Sequence, residues 1–224
     1  YMDYVAAGSE GDERLQRHLE LLRQLKAAGD AARVTTKLAD LDSEFHNDGA
    51  YFVQKGRFLA HELGRHELAL EAFQRAAALN YSLLATLFDQ GVALDKLGDK
   101  RKALSAYNKA ARFLMTEMGL DALGSPTQAL LTALGQGDRS ELVRIAANLI
   151  GRIADRSVWP EIGFILEKAD TPWRRRHCAT ALGMLSASEA VSLLVRCLKD
   201  SASEVRGSAA TALGRIGSAV AVPA

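Results

Sequence analysis

Apolar side chains recur at intervals of three and four along most of the chain. Leu15, Leu19, Leu22 and Leu25 form one such stripe, the pattern of a helix that buries a single face. The stripes are short, and Gly29, Gly64 and Gly98 interrupt them. Glycine enters the left-handed cap conformation at low cost, so each of these positions ends one helix and allows the chain to turn into the next. The first hairpin is expected over residues 14–28 and 31–46, with Val34, Leu38 and Leu41 facing inward on its second helix. Ala7, Gly8 and Ser9 read as a loose lead.

Two kinds of internal repeat follow. In the first half Leu63 and Gly64 return as Leu97 and Gly98, Ala69 and Leu70 as Ala103 and Leu104, Ala72 and Phe73 as Ala106 and Tyr107, and Ala76 and Ala77 as Ala110 and Ala111. Every pair is 34 residues apart, the period of a helix–turn–helix repeat. In the second half Thr180, Ala181, Leu182 and Gly183 return as Thr211, Ala212, Leu213 and Gly214 after 31 residues. One repeat earlier, Ala147, Leu149, Ile150 and Gly151 align with Ala179, Ala181, Leu182 and Gly183 after 32. Each copy has a basic residue near the start of its first helix, namely Arg144, Arg175 or Arg176, and Arg206. Upstream of each lies a capping or turn segment at Asp138, at Asp170, Thr171 and Pro172, and at Asp200 and Ser201.

The first pattern resembles the tetratricopeptide repeat family, with Gly91, Ala103, Tyr107 and Ala110 at its signature positions. The other copy keeps Ala69, Phe73 and Ala76 but has Arg57 in place of the small residue of the first helix. The second pattern resembles HEAT repeats of the short kind found in bilin lyases of the phycobilisome, through Asp200, Val205, Arg206, Ala209, Ala210, Ala212, Leu213 and Gly214. Together the resemblances imply an all-α fold, a right-handed α-solenoid of antiparallel helix hairpins, tetratricopeptide-like and then HEAT-like. Tetratricopeptide-like repeats are expected over residues 11–118, best at 50–80 and 84–117, followed by a junction at 119–125 where Gly124, Ser125 and Pro126 break the pattern. HEAT-like repeats are expected over residues 126–224, in copies at 139–168 and 171–199 and an incomplete one at 202–224. Residues 128–134 resemble the second helix of a hairpin that lacks its first, and residues 219–224 the opening of a helix that is cut short, which suggests a fragment of a longer repeat protein.

Composition narrows the function. The 224 residues are 48% hydrophobic and 25% charged, a globular balance, and no apolar run approaches the roughly 20 residues of a membrane span. The net charge of +1 gives no lopsided field, which argues against a dedicated nucleic-acid binder. Cys178 and Cys197 cannot form a disulfide framework and read as buried thiols in a reducing compartment. No secretory signal opens the sequence, so cytoplasm is expected, although Tyr1 before Met2 leaves the native start open.

Candidate chemistry is sparse. His61–Glu62 and His66–Glu67 suggest a metal pair, but the two histidines are five apart with Gly64 between them, whereas one helix presents two ligands at a spacing of four. They read as solvated turn residues. No activating neighbour marks Cys178 as a nucleophile, and phosphate-binding glycine loops and Gly-x-Ser-x-Gly elbows are absent. No catalytic residue, metal or cofactor is expected, and the chain does not read as an enzyme.

The expected function is a non-catalytic scaffold or adaptor for a protein or peptide partner. In tetratricopeptide proteins the first helices of successive repeats line a groove, and the resemblance puts Tyr51, Gln54, Phe58, His61 and Glu62 there in one copy and Ala85, Phe88, Val92, Asp95 and Lys96 in the next. Tyr51, Phe58, Phe88 and Val92 would form an apolar strip with a polar end, suited to a peptide or helix. A shift of one position would instead place them in the core between helices. On the strip reading, removing Phe58 and Phe88 together abolishes binding without unfolding the chain. Trp173, Arg174, Arg175 and Arg176 form a possible second surface. Those arginines either contact nucleic-acid phosphates or pair with Asp138, Asp170 and Asp200 as a ladder across the repeats, and the charge balance favours the ladder. The bilin-lyase resemblance implies a further alternative, a chaperone or lyase for a tetrapyrrole-bearing protein.

Overall fold

A computed structural model describes residues 9–138 and 140–217, within which every regular element is a helix. The expectations for Ala7 and Gly8 and for residues 219–224 lie outside the described residues. The chain divides into two compact units, Tyr1–Asp99 and Lys100–Ala224.

The first unit holds α1 (Ser9–Ala27), α2 (Ala31–Glu44), α3 (Gly49–Arg57), α4 (His66–Ala78) and α5 (Leu83–Lys96), and α3 continues into a π-helical turn, Phe58–Glu62. Asp30 caps α2 by accepting from the Arg33 amide, and Asp48 caps α3 by accepting from Ala50 and Tyr51, each satisfying amides that a helix start leaves unpaired. The α1–α2 hairpin is the one expected around Gly29, and Leu15, Leu19, Leu22, Val34, Leu38 and Leu41 are all buried. Gly64 and Gly98 adopt φ of 65° and 82°, the left-handed turn for which only glycine carries no Cβ penalty.

The π turn alters the repeat register. Leu63 donates to the Phe58 carbonyl five residues back, so one extra residue is accommodated before the Gly64 turn. A Cβ on Gly56 would lie 2.5 Å from the Phe73 ring of α4. Gly56 is therefore the small residue of this copy, 35 positions before Gly91, and the expectation that Arg57 replaces it is corrected. Residues after the turn keep the spacing of 34, and those before it move by one.

The second unit holds α6 (Lys100–Glu117), α7 (Pro126–Gln136), α8 (Ser140–Ile153), α9 (Trp159–Lys168), α10 (Pro172–Met184), α11 (Val191–Cys197) and α12 (Ser203–Ile216). Here α6 packs on α7 and α8, and α8, α10 and α12 stack in succession. Ser125 caps α7 with Pro126 in its first turn, after the irregular stretch in which Gly119 and Gly124 both have φ of 64°. Within this unit α7 packs on α8, α9 on α10 and α11 on α12. The fold class is an all-α repeat solenoid.

Glycine sets the separation of the stacked helices. A Cβ on Gly151 would meet Met184 Cβ at 2.3 Å, and one on Gly183 would meet the Ala212 backbone at 2.5 Å. The equivalent Gly214 meets nothing within 4 Å among the described residues. Gly183→Ala is expected to destabilise the protein by about 1–3 kcal/mol through overpacking, whereas Gly214→Ala is neutral or stabilising by up to about 1 kcal/mol through helix propensity. Urea denaturation of the two variants measures the contrast.

Candidate functional site

In the first unit α3 with its π turn, α4 and α5 enclose a recess of 290 Å³ lined by Ala60, His61, His66, Phe73, Asp89, Val92, Ala93 and Lys96. The π turn delivers Ala60 and His61 to it, the first turn of α4 supplies His66, and one stripe of α5 supplies Asp89, Val92, Ala93 and Lys96. The floor is apolar, from Phe73, Ala93 and the half-buried Val92, while His61 and Lys96 are exposed at the rim. His66 is half-buried, and its Nδ1 lies out of solvent with no hydrogen-bond partner. Arg57 Nε donates to Asp89 at 2.9 Å, so the carboxylate that faces the recess from α5 is already neutralised by α3. Lys26 donates to Glu62 at 2.6 Å and holds that carboxyl below its usual range, which ties α1 to the π turn.

Of the groove residues expected from the sequence, His61, Val92 and Lys96 are brought together here. Gln54 and Asp95 are half-buried and line no part of the recess. The expectation of an open aromatic strip is corrected, because Tyr51, Phe58 and Phe88 are only 1%, 4% and 6% exposed. For Tyr51 and Phe58 the extra residue of the π turn rotates the start of α3 towards the core, whereas Phe88 is buried where α5 packs on α4. Tyr51 instead joins α2 to α3. Its hydroxyl donates to Asp42 at 2.6 Å and its ring stacks on Phe45, while Lys55 donates to both Asp42 oxygens at 2.6 Å. Burial, reinforced by the bond to Asp42, raises the Tyr51 hydroxyl above the usual phenol range. Sequence reading missed Arg57, His66 and Asp89. The available signal was Gly56, whose one-position offset from the repeat pattern reveals the insertion.

Part of the expected ladder forms in the second unit, where Arg174 pairs with Asp170 and Arg175 with Asp200, while Arg206 and a further bond of Arg174 go to backbone carbonyls. Arg175 donates to both oxygens of Asp200, at 2.7 and 2.9 Å, and also to the Ala169 and Asp170 carbonyls. Arg206 donates to the Asp200 and Ser201 carbonyls, and Arg174 donates to the Gly137 carbonyl and lies over the Trp173 ring. Arg176 contacts His177, which is buried. These guanidiniums tie the starts of α10 and α12 to the segments before them, a use that needs the fixed fork of arginine. The bond to Arg175 lowers the Asp200 pKa, and Asp200 in turn raises that of Arg175. Burial pushes the Cys178 thiol up to about 12 and raises that of Cys197, so neither supplies a thiolate at neutral pH.

Comparison with known families agrees with this architecture. Residues 84–113 match the tetratricopeptide repeat and residues 160–224 match HEAT repeats. The chain therefore carries a tetratricopeptide repeat followed by HEAT repeats, and the HEAT match does not single out the bilin-lyase kind. Repeats of these two kinds generally mediate protein–protein interaction and are typically non-enzymatic. No curated protein matches the chain. No helix among the described residues is long and apolar enough to cross a membrane.

Two outcomes follow from this geometry. Phe58→Glu places a carboxylate where Phe58 is 4% exposed, and it is expected to cost more than about 3 kcal/mol and to melt the first unit. Circular dichroism melts measure that loss. Because the folded Asp200 pKa is depressed, its stabilisation is present above the ordinary carboxylate range and disappears as pH falls through the lowered value. Asp200→Asn should lower the melting temperature at neutral pH and flatten the stability decline below about pH 4.

Proposed function

We propose that the chain is a non-catalytic interaction scaffold and that the recess between the π turn and α5 receives a peptide or helical segment of a partner protein. The observation that carries this reading is the recess itself. Two successive repeats meet there over an apolar floor, with His61, His66 and Lys96 as hydrogen-bond donors around it. An apolar side chain of the partner would rest on Phe73, Val92 and Ala93, while His61 and Lys96 would hold backbone carbonyls or an acidic side chain beside it. Neutralisation of Asp89 by Arg57 favours an uncharged or acidic segment over a basic one. The HEAT part of the second unit would present a separate docking surface.

The test is a pull-down from source cells with the intact chain and with a His61→Glu/Lys96→Glu variant. Both residues are exposed, so helicity and melting temperature should not change. Loss of roughly fivefold or more in recovery of a discrete partner is expected. Equal recovery by the two proteins would remove the recess as the binding site.

A further inference from the structure

The second unit carries an apolar groove that none of the described chain fills. Gln128, Leu131, Thr132, Gly135 and Gln136 of α7 line one wall, and Pro160, Glu161, Phe164 and Ile165 of α9 the other, around a recess of 440 Å³. The α7 positions follow the spacing of a single helical stripe, and the groove runs for about 12 Å, or two helical turns. Gly135 adds no side chain to the floor, where a Cβ would make an ordinary contact with Ile165 at 3.5 Å. Phe164 is 63% exposed, the largest exposure among the described large apolar side chains. The Lys168 ammonium lies over its ring, 6.0 Å from the ring centre.

The electrostatics choose the occupant. Glu161 is the sole ionisable residue in the lining, and it makes no hydrogen bond or ion pair among the described residues. The other carboxylate of α9, Glu167, is taken by Arg196. An acidic segment would meet Glu161 unfavourably, whereas a Lys or Arg beside it would gain a partner at the edge of an apolar surface. We infer that this groove binds an amphipathic helix of a partner protein, with an apolar stripe packed on Phe164, Leu131 and Ile165 and a basic residue paired with Glu161. Two helical walls of matched length are the setting in which a third helix can seat residues at i, i+3 or i+4, and i+7. The groove lies wholly within the second unit and does not depend on the recess of the first.

The probe is a displayed library of helix-stabilised peptides with randomised faces, selected on the intact 224-residue chain. Enriched peptides are expected to share the apolar spacing together with a flanking Lys or Arg. Their affinity, read by fluorescence anisotropy, should fall roughly tenfold or more on Phe164→Glu. On Glu161→Lys the preference should invert, so that peptides with Glu replacing the basic residue bind better than the parents. Both residues are exposed, and melting temperatures confirm that the variants remain folded. Absence of a consensus, a consensus without a basic residue, or binding indifferent to Phe164→Glu would each overturn the assignment. His61→Glu/Lys96→Glu should leave peptide binding unchanged, which separates this groove from the recess of the first unit.

Discussion

The architecture depends on how closely neighbouring helices approach one another. At Gly56, Gly151 and Gly183 the next helix occupies the space where a Cβ would stand, and Ala69, Ala76, Ala103, Ala110, Ala179 and Ala209 are buried around the same contacts. Close packing of this kind gathers dispersion energy from many weak contacts and permits almost no adjustment. Small residues at a fixed spacing therefore specify both the helix pairs and the stacking of one pair on another. Larger core residues, Leu15, Leu19, Leu22, Val34, Leu38 and Leu41, fill the first hairpin instead.

Polar interactions act at the ends of helices and between successive elements. Arg175 and Asp200 are both mostly shielded and make a two-point bond, so they align the beginning of α10 with the segment that leads into α12. Asp42 serves a comparable purpose between α2 and α3 by accepting from Tyr51 and Lys55 at once. A charged group used in this way is occupied by its own chain. The arginines that most resemble a phosphate-binding cluster are, for that reason, parts of the scaffold.

The two candidate surfaces differ in origin. The recess of the first unit arises where a regular repeat is interrupted, because the π turn displaces the end of α3 and leaves His61 and His66 around an incompletely filled space. The groove of the second unit arises from regular packing, since α7 and α9 are held apart by the helices behind them and Gly135 adds no side chain to the gap. In each case apolar atoms remain accessible beside unshared hydrogen-bonding groups, the combination that distinguishes a docking surface from ordinary exposed hydrophobic area.

The sequence by itself determined the helix hairpins, their turns and the change of repeat, because these rest on local backbone preferences and on spacings of 34, 31 and 32 residues that survive without any knowledge of contacts. It also pointed to the pairing of the Arg174–Arg176 cluster with Asp170 and Asp200, though not to the backbone carbonyls that take Arg206. Only the tertiary structure decided which aromatics face solvent. Tyr51 and Phe58 precede or open the π turn, whose one additional residue changes the direction of the side chains before it by about 100°, whereas Phe88 keeps its register on α5 and is buried where α5 packs on α4. Phe164 carries no local mark of exposure in the sequence, since its surroundings depend on where α7 stands. Helix formation is set by neighbours along the chain, whereas exposure is set by neighbours in space, and the π turn separates the two.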